Sequence, residues 1–327
     1  MNTPLSYSLA AFRPGGYADA EERLLDLKEL GFQWVTLTPT FPVQDSAPLR
    51  IDTGRGPGID ELKAAVESAR GLGLRLQIDP HLDFQTTLTG GPYEWRRRMY
   101  FSPKGAYLDS ILYPLAALGP DALTLGSELD ISLAGFAEDW SEVRQLFPSL
   151  TVGHKLNHDS LHAGAAAIRR ELNAERARLG ESGIGRWAYR ALVKAIGEYL
   201  GTLDYVGFSF YPDATGDTPL TRHADRMKQE LKKAAGGQPC FAIGEFGLGS
   251  ADLSRPWHFD AATFRNPEAL VRRRQYYLEF LKALRESPGI FGAHPASFWT
   301  VGHFDFLDGE FRDDDLRAAV KRYNLAS

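Results

Sequence analysis

The sequence predicts an α/β protein that folds as a single (β/α)8 TIM barrel. Short apolar runs alternate with amphipathic helical segments along all 327 residues, which is the pattern of repeated βα units on a parallel sheet. Eight strands and about eight helices can be counted, and this number favours a closed barrel over an open doubly wound sheet. The glycine-rich motifs that bind dinucleotides and nucleoside triphosphates are missing from the sequence.

Each predicted strand is an apolar or β-branched run that ends at a Gly, a Pro or a polar residue. The second run stops at Pro39 and the third at Pro80, while two polar positions weaken the fifth. The eight predicted strands cover residues 7–12, 34–38, 74–79, 122–126, 151–156, 205–211, 240–244 and 296–300.

Apolar residues spaced three and four apart predict the helices between these strands. In the first helix, Leu24, Leu25, Leu27 and Leu30 are expected to make an apolar face, and Gly31 supplies the stop. The predicted helices cover residues 18–30, 59–69, 107–118, 140–146, 187–200, 222–235, 270–284 and 313–323. Residues 161–181 are charged and rich in Ala and Arg, and we expect a helical insertion there within one domain that spans residues 1–327.

Composition excludes several classes of partner. A net charge of −5 and a pI near 5.9 argue against nucleic acid, which calls for a basic face. No apolar run approaches the ~18 residues that span a bilayer, so we expect no membrane partner. The N-terminus lacks a basic signal region, which favours the cytoplasm, although secretion is compatible if a signal peptide has been removed. Cys240 is the single cysteine and is expected to be a buried, inert thiol.

The polar residues at the strand ends are the candidates for function, because a barrel carries its active site at the C-terminal ends of its strands. They are rich in acidic and aromatic groups: His81, Asp83, Glu128, Asp130, Asn157, His158, Tyr211, Asp213, Glu245, Trp299, His303 and Asp305.

Two of the strand ends share one pattern. In residues 123–130 and 241–249, an apolar run reaches a Gly, and Glu128 or Glu245 follows one or two positions later. Two carboxylates raised from the ends of parallel strands are the groups that glycosidic bond cleavage requires.

Short motifs around these positions look like those of clan A glycoside hydrolases. They are Gly126-Ser-Glu128, Phe208-Ser-Phe-Tyr211-Pro, Gly244-Glu245-Phe and Phe298-Trp299. Within the clan, residues 34–40 together with residues 126–130 most resemble glycoside hydrolase family 113, a group of β-mannanases and related enzymes. The match runs over nearly the whole chain in order.

The resemblance implies that Glu128 is the acid/base, that Glu245 is the nucleophile and that Tyr211 orients the nucleophile. For this chemistry, Glu128 needs the more apolar or more anionic setting, and hydrogen bonds need to keep Glu245 ionised. Clan members usually carry Asn before the acid/base, where it binds the sugar 2-hydroxyl, whereas this chain has Ser127. The change is compatible with the axial 2-hydroxyl of mannosides and puts a glucoside substrate in doubt.

The other strand-end residues are expected to bind substrate or to have structural roles. His81 and Asp83 are expected to bind sugar hydroxyls. Trp299 is interpreted as a sugar-stacking platform, with plain core as the alternative. Asn157 either faces the substrate or fixes a turn, and Trp257 belongs to a long loop that could be a lid or an extra subsite. Asp305 is expected to be solvated.

The function expected is a retaining β-glycoside hydrolase that acts on β-mannosidic or related oligosaccharides or polysaccharides, with no metal or organic cofactor. The oligomeric state is not predicted. One alternative is a carbohydrate-binding barrel without hydrolysis, in which Ser127 marks a decayed site. The other is a metal-dependent barrel of the sugar isomerase type that uses His81, Asp83, Glu128 and Glu245.

Overall fold

The protein forms a closed barrel of eight parallel strands with helices outside it, as the sequence predicts. The computed structural model describes residues 2–44, 50–84, 107–156, 173, 194–213, 215, 218–235, 240–254, 256, 260–300 and 304–326. All of the structural statements that follow concern these residues.

The described residues contain ten strands, eight of which form the barrel. In chain order they are β1 (Leu5–Ala11), β2 (Trp34–Gln44), β3 (Arg50–Ile51), β4 (Arg75–Ile78), β5 (His81–Phe84), β6 (Ala122–Ser127), β7 (Val152–Leu156), β8 (Tyr205–Phe210), β9 (Cys240–Phe246) and β10 (Ala296–Phe298). The barrel order is β1-β2-β4-β6-β7-β8-β9-β10, and β1 closes the ring by pairing with both β2 and β10. β3 and β5 lie beyond the barrel, on the extended end of β2.

This extension corrects one part of the prediction. The second strand, predicted to stop at Pro39, continues to Gln44, and β5 pairs in parallel with its residues 40–43. Pro39 does not end the strand because it occupies the last position that pairs with β1, so its missing N–H affects only the end of that ladder. His81 and Asp83 therefore lie in a strand, not in a loop.

The helices lie outside the barrel. In chain order they are α1 (Ala20–Glu29), α2 (Ile59–Gly71), α3 (Tyr113–Ala117), α4 (Asp130–Gln145), α5 (Leu220–Ala235), α6 (Pro267–Glu286), α7 (Pro288–Phe291) and α8 (Asp314–Leu325). A π-helical turn, Leu108–Leu112, leads into α3, and residues 194–200 are also helical. α4 is longer than predicted and begins two residues after Glu128. The predicted insertion, 161–181, lies outside the described residues except for Asn173, which is helical.

Aromatic side chains fill the space between the barrel and its helices. Phe246 of β9 stacks on Phe280 of α6 with ring centroids 3.6 Å apart. At the opposite end of the barrel from the candidate site, Tyr205 stacks on His294 at 3.9 Å.

Cys240 is partly exposed, whereas the sequence predicted a buried thiol. Among the described helices, none is long and apolar enough to cross a membrane.

Candidate active site

The C-terminal ends of the barrel strands bring together most of the predicted site residues. They also bring in three residues that the sequence analysis did not select: Asp79, Lys155 and Ser209. Asn157 and Trp257 lie outside the described residues, as do His158 and His303. Asp83 and Asp213 are exposed. Asp305 is 8% exposed and therefore is not the solvated group that was expected.

Both glutamates follow an irregularity in their strands. On β6, Thr124 pairs with Gly153 and Ser127 with Lys155, so three steps on β6 oppose two on β7. On β9, Ile243 pairs with Phe208 and Glu245 with Ser209, which leaves Gly244 as the extra residue. A bulge of this kind changes the direction of the side chains that follow it. The side chains of Glu128 and Glu245 therefore point in directions that differ from those expected from the regular alternation of side chains along their strands.

The Gly before each glutamate is explained by its neighbours. A Cβ on Gly126 would lie 2.4 Å from Cε1 of His154, and a Cβ on Gly244 would lie 2.6 Å from Cδ of Lys155. Neither site has room for a methyl group. The recurrence of Gly followed by Glu in the sequence reflects this need for space at two bulges.

Glu245 is a buried carboxylate with donors on both oxygens. Its Oε1 accepts a hydrogen bond from Lys155 Nζ at 2.5 Å, and its Oε2 accepts one from the Tyr211 hydroxyl at 3.0 Å. Burial, together with the negative charges of Glu245 and Glu128, raises the pKa of Tyr211, so this phenol stays protonated and can donate. The contact between Tyr211 and Glu245 is the one that the family resemblance implies.

Lys155 is the centre of the charge network. Only 1% of the residue is exposed, and Nζ lies 2.6 Å from Asp79 Oδ2, 2.7 Å from His81 Nε2 and 2.5 Å from Glu245 Oε1. An ammonium has three N–H donors and no lone pair, so these three contacts use all of its protons. His81 Nε2 is then an acceptor, which places the proton of a neutral imidazole on Nδ1.

The charges of this network stabilise one another. Burial alone would lower the pKa of Lys155, but the carboxylates of Asp79, Glu245 and Glu128 outweigh it and raise the pKa. Burial would likewise raise the pKa of Asp79, but the Lys155 ammonium outweighs it and lowers the pKa. Both groups are therefore ionised at neutral pH. A charged Lys155 has no free electron pair, so it is not a nucleophile in this state.

Glu128 occupies a different setting. Its side chain reaches solvent at the mouth of the barrel, and its Oε1 accepts a hydrogen bond from Ser209. The surrounding protein, which displaces part of the water, and then the negative charge of Glu245 raise the pKa of Glu128. The positive charge of Lys155 opposes this rise without cancelling it. Glu128 is thus the carboxyl of the pair that holds a proton more readily than an ordinary Glu.

The backbone at Glu128 is unusual as well. Its φ of 54° lies in the left-handed region, which non-Gly residues rarely adopt. The Glu128 N–H donates to the carbonyl of Lys155 at 2.9 Å and so ties this conformation to β7. Backbone strain of this type is concentrated at functional sites.

The cluster has the ligand set of a metal site, but a lysine fills it. Asp79, His81 and Glu245 each offer one ligand atom, and these atoms lie within 4.8 Å of one another. Lys155 Nζ contacts each of the three at 2.5–2.7 Å, which is the position that a cation would take. Asp83, which the metal-dependent alternative also required, is exposed. The residues present therefore fit an ammonium and not a metal ion.

Ser127 and Trp299 both contact His81 at the border of this network. Ser127 Oγ lies 2.6 Å from His81 Nε2, so the Ser127 hydroxyl is in hydrogen-bond contact with the ring that also contacts Lys155. The half-buried Trp299 ring stacks on His81 with centroids 5.5 Å apart and planes 17° apart. Because Trp299 is only partly covered, it differs from a plain core residue and keeps surface for a ligand.

The three additional residues, Asp79, Lys155 and Ser209, differ in the strength of the signal that each gives in the sequence. Lys155 is a charged residue inside the fifth predicted strand, where it weakens the apolar pattern. Its neighbour His154 points the other way, toward Tyr199, whose hydroxyl lies 3.1 Å from His154 Nδ1. A lysine on the inward face of a buried strand calls for buried carboxylates, and this signal could have selected Lys155 and Asp79. Ser209 had no such signal.

Comparison with known proteins places the fold. No protein-family model and no curated protein sequence matches the chain. Among solved structures, a GH113 β-1,4-mannanase determined as a complex superposes with a TM-score of 0.67 at 15% identity and 100% coverage of both chains. The GH113 β-mannanase from Alicyclobacillus acidocaldarius gives a TM-score of 0.64 at 16% identity over 99% of this chain and 97% of that one.

A longer enzyme is also similar. The exo-β-1,4-mannosidase from Opitutaceae bacterium strain TAV5 has a TM-score of 0.55 at 15% identity, and the match covers 99% of this chain but 59% of that one. At these identities, the likeness concerns the fold. The chain has the fold of the GH113 β-mannanases, a closed (β/α)8 barrel, as the family resemblance in its sequence implied.

Proposed function

We propose that the protein is a retaining β-glycoside hydrolase in which Glu128 is the acid/base and Glu245 is the nucleophile. The unequal settings of the two carboxyls support this proposal most strongly. Glu245 accepts hydrogen bonds from Lys155 and Tyr211, while Glu128 has a raised pKa caused in part by the charge of Glu245. Retaining cleavage needs such a pair, with carboxyls about 5–5.5 Å apart, one protonated and one ionised.

The reaction has two steps. In the first, Glu128 gives its proton to the glycosidic oxygen while Glu245 attacks the anomeric carbon, which releases the leaving sugar and forms a covalent glycosyl-enzyme. In the second, Glu128, now ionised, takes a proton from water as the water attacks the anomeric carbon and frees Glu245. The configuration at the anomeric carbon is inverted twice and is therefore retained.

The proposed substrate is a β-mannosidic or related β-linked oligosaccharide. The mannanase folds of the similar structures support this choice, as does Ser127 in the position where the clan usually has Asn. Trp299 offers an indole face for the apolar side of a sugar ring, and His81 and Ser127 place polar atoms beside it. Asp83, two residues after His81 in β5, is exposed.

The test uses alanine variants and an aryl β-mannoside. We expect Glu245→Ala and Glu128→Ala each to lower kcat by roughly 10⁴-fold or more, on the scale of removing a nucleophile or its proton donor in other hydrolases. Azide should then give an α-mannosyl azide with Glu245→Ala and a β-mannosyl azide with Glu128→Ala. The control is Glu138→Ala, which removes an exposed carboxylate of α4 and should keep full activity.

Other outcomes would reject the proposal. Full activity in either glutamate variant would reject the assignment of Glu128 as acid/base and Glu245 as nucleophile. Binding of manno-oligosaccharides in calorimetry without any product after long incubation would favour the carbohydrate-binding barrel. Turnover of aryl glycosides of other sugars, with none of the mannoside, would keep the mechanism and reject the substrate.

A further inference from the structure

The strand β7 supplies a residue whose role goes beyond the two glutamates. Resting on the proposed function, we propose that Lys155 is the positioning residue that keeps Glu245 ionised and oriented, and that Asp79 limits how strongly Lys155 acts on it. The proposal depends on the path of the lysine side chain, on the use of its three protons, and on the competition between two carboxylates for one charge.

The lysine side chain crosses two neighbouring strands to reach Glu245. Lys155 pairs with Gly207 of β8, and a Cβ on Gly207 would lie 3.6 Å from Lys155 Cγ. Further along, a Cβ on Gly244 of β9 would lie 2.6 Å from Lys155 Cδ. Two successive strands thus carry glycine where the stem passes. The stem passes close to the backbone at both glycines and is buried, and its ammonium lies against Glu245 Oε1.

The ammonium is divided between two carboxylates. Its protons go to Asp79, Glu245 and His81, and Lys155 is the cation that contacts Glu245 among the described residues. His81 Nε2, an acceptor of one of these protons, lies 3.4 Å from Glu245 Oε1. Asp79 is buried, and its Oδ1 has no hydrogen-bond partner within the described part of the chain. The ammonium of Lys155 therefore stabilises the negative charge of Asp79, and the same ammonium also stabilises the negative charge of Glu245.

The division of the ammonium charge between Asp79 and Glu245 determines how readily Glu245 holds a proton and how strongly it attacks. The groups that face Glu245 are Lys155 from β7, His81 from β5, Tyr211 after β8 and Glu128 after β6, with Asp79 behind Lys155. Without Asp79, the full ammonium charge would act on Glu245, which would hold a proton less readily and attack more weakly. Without Lys155, Glu245 would face two other carboxylates and would hold a proton more readily.

The experiment is a ¹³C NMR titration of the Glu245 carboxyl, assigned by comparison with Glu245→Gln. It is done in the Glu128→Gln background, which removes the coupled titration of the second carboxyl. We expect Asp79→Asn to move the titration midpoint of Glu245 to lower pH and Lys155→Met to move it to higher pH by about 1–3 pH units, the scale of a close ion pair. A structural role for both residues would move the midpoint in one direction only.

The controls separate electrostatics from folding. Lys194→Met removes an exposed lysine of an i,i+4 pair and should leave the midpoint unchanged. Lys155→Met leaves Asp79 unpaired, so the double variant Asp79→Asn/Lys155→Met, in which residue 79 no longer carries a charge, provides a second measurement if the single variant does not fold. It should also titrate at higher pH than the parent, because the ammonium is gone.

The outcomes also separate this inference from the proposed function. In the active background, the acid limb of kcat/KM should shift as the NMR midpoint does, with KM changing less than kcat. Opposite NMR shifts in variants of a protein that cleaves no glycoside would keep the role of Lys155 and reject the hydrolase. A midpoint that does not move in Lys155→Met, or in the double variant, would overturn the inference.

Discussion

At the scale of single residues, the two glutamates differ in backbone as well as in partners. Glu245 lies within β9 and has donors on both of its oxygens. Glu128 follows β6 at a φ of 54°, a conformation that costs roughly 1–3 kcal/mol in a non-Gly residue. Its side chain also has a raised pKa. The group proposed to move the proton is therefore the one held in the less favourable state.

The raised pKa of Glu128 predicts a pH-dependent stability that can be measured without substrate. A carboxyl with a higher pKa in the folded state binds its proton more tightly there, so stability is lost as pH rises through the ordinary Glu range, near 4.3, toward the folded pKa. Glu128→Gln removes this loss. We expect its free energy of unfolding, relative to wild type, to increase from pH 4 to pH 8 in urea denaturation.

The control for this measurement is Glu138→Gln, which changes an exposed carboxylate on α4. Its stability relative to wild type should be nearly independent of pH. A Glu128→Gln variant whose relative stability falls as pH rises would contradict the raised pKa.

At the scale of elements, the bulges in β6 and β9 connect strand geometry to the direction of the glutamates. Each bulge inserts one residue before its Glu, and each places a Gly against a side chain of β7. β7 thus contacts the backbone at the two strand ends that carry Glu128 and Glu245. Its two polar residues, which weaken it as a strand, serve this packing: His154 against Gly126 and Lys155 against Gly244.

This packing predicts a large difference between two glycine substitutions. Gly244→Ala places a methyl group 2.6 Å from Cδ of Lys155, in the middle of an enclosed side chain, and should displace the ammonium from Glu245. Gly207→Ala, on the neighbouring strand, meets the same side chain at an ordinary contact distance of 3.6 Å. We expect Gly244→Ala to lower kcat at least about tenfold more than Gly207→Ala, a difference of about 1.4 kcal/mol.

Thermal unfolding of both variants serves as the control, because overpacking typically costs 1–3 kcal/mol of stability. Equal activity in the two variants would indicate that Lys155 adapts to the methyl group without leaving Glu245.

The sequence predicted the elements well where one local pattern decides the structure. All eight barrel strands are present, and Glu128, Glu245 and Tyr211 stand at the strand ends where the alternation of apolar runs put them. The end of β2 was missed because Pro39 reads locally as a stop, whereas pairing with β1 makes it harmless. Lys155 was missed because a charge inside a strand is explained only by Asp79 and Glu245, which are 76 and 90 positions away.

At the scale of the whole molecule, the ring is closed by more than strand pairing. Arg23 of α1 contacts Asp305 at 2.5 Å, and Asp305 also accepts a hydrogen bond from the hydroxyl of the buried Tyr7 in β1. Arg317 of α8 contacts Asp26 of α1 with both nitrogens, at 2.6 and 2.7 Å. The first and last parts of the barrel are therefore connected by buried and half-buried ion pairs. Asp305, a strand-end candidate, has a structural role here.

We expect Asp305→Ala to lower the free energy of unfolding by about 3 kcal/mol, because it leaves the Tyr7 hydroxyl unsatisfied and the Arg23 charge without its buried partner. The control is Glu67→Ala, which breaks an exposed ion pair with Lys63 on α2 and should cost within about 1 kcal/mol. Chemical denaturation measures both. Similar losses in the two variants would show that the closure does not depend on Asp305.

Lys155 has one more consequence for how such a site responds to its medium. A cation bound from solution leaves when it becomes scarce or when a chelator competes for it, whereas a lysine side chain is covalently attached and cannot dissociate from the protein. It is also buried, and mobile salt ions screen buried pairs far less than surface pairs. The charge opposite Glu245 is thus fixed at one per protein molecule, whatever the salt or divalent ion content of the solution around it.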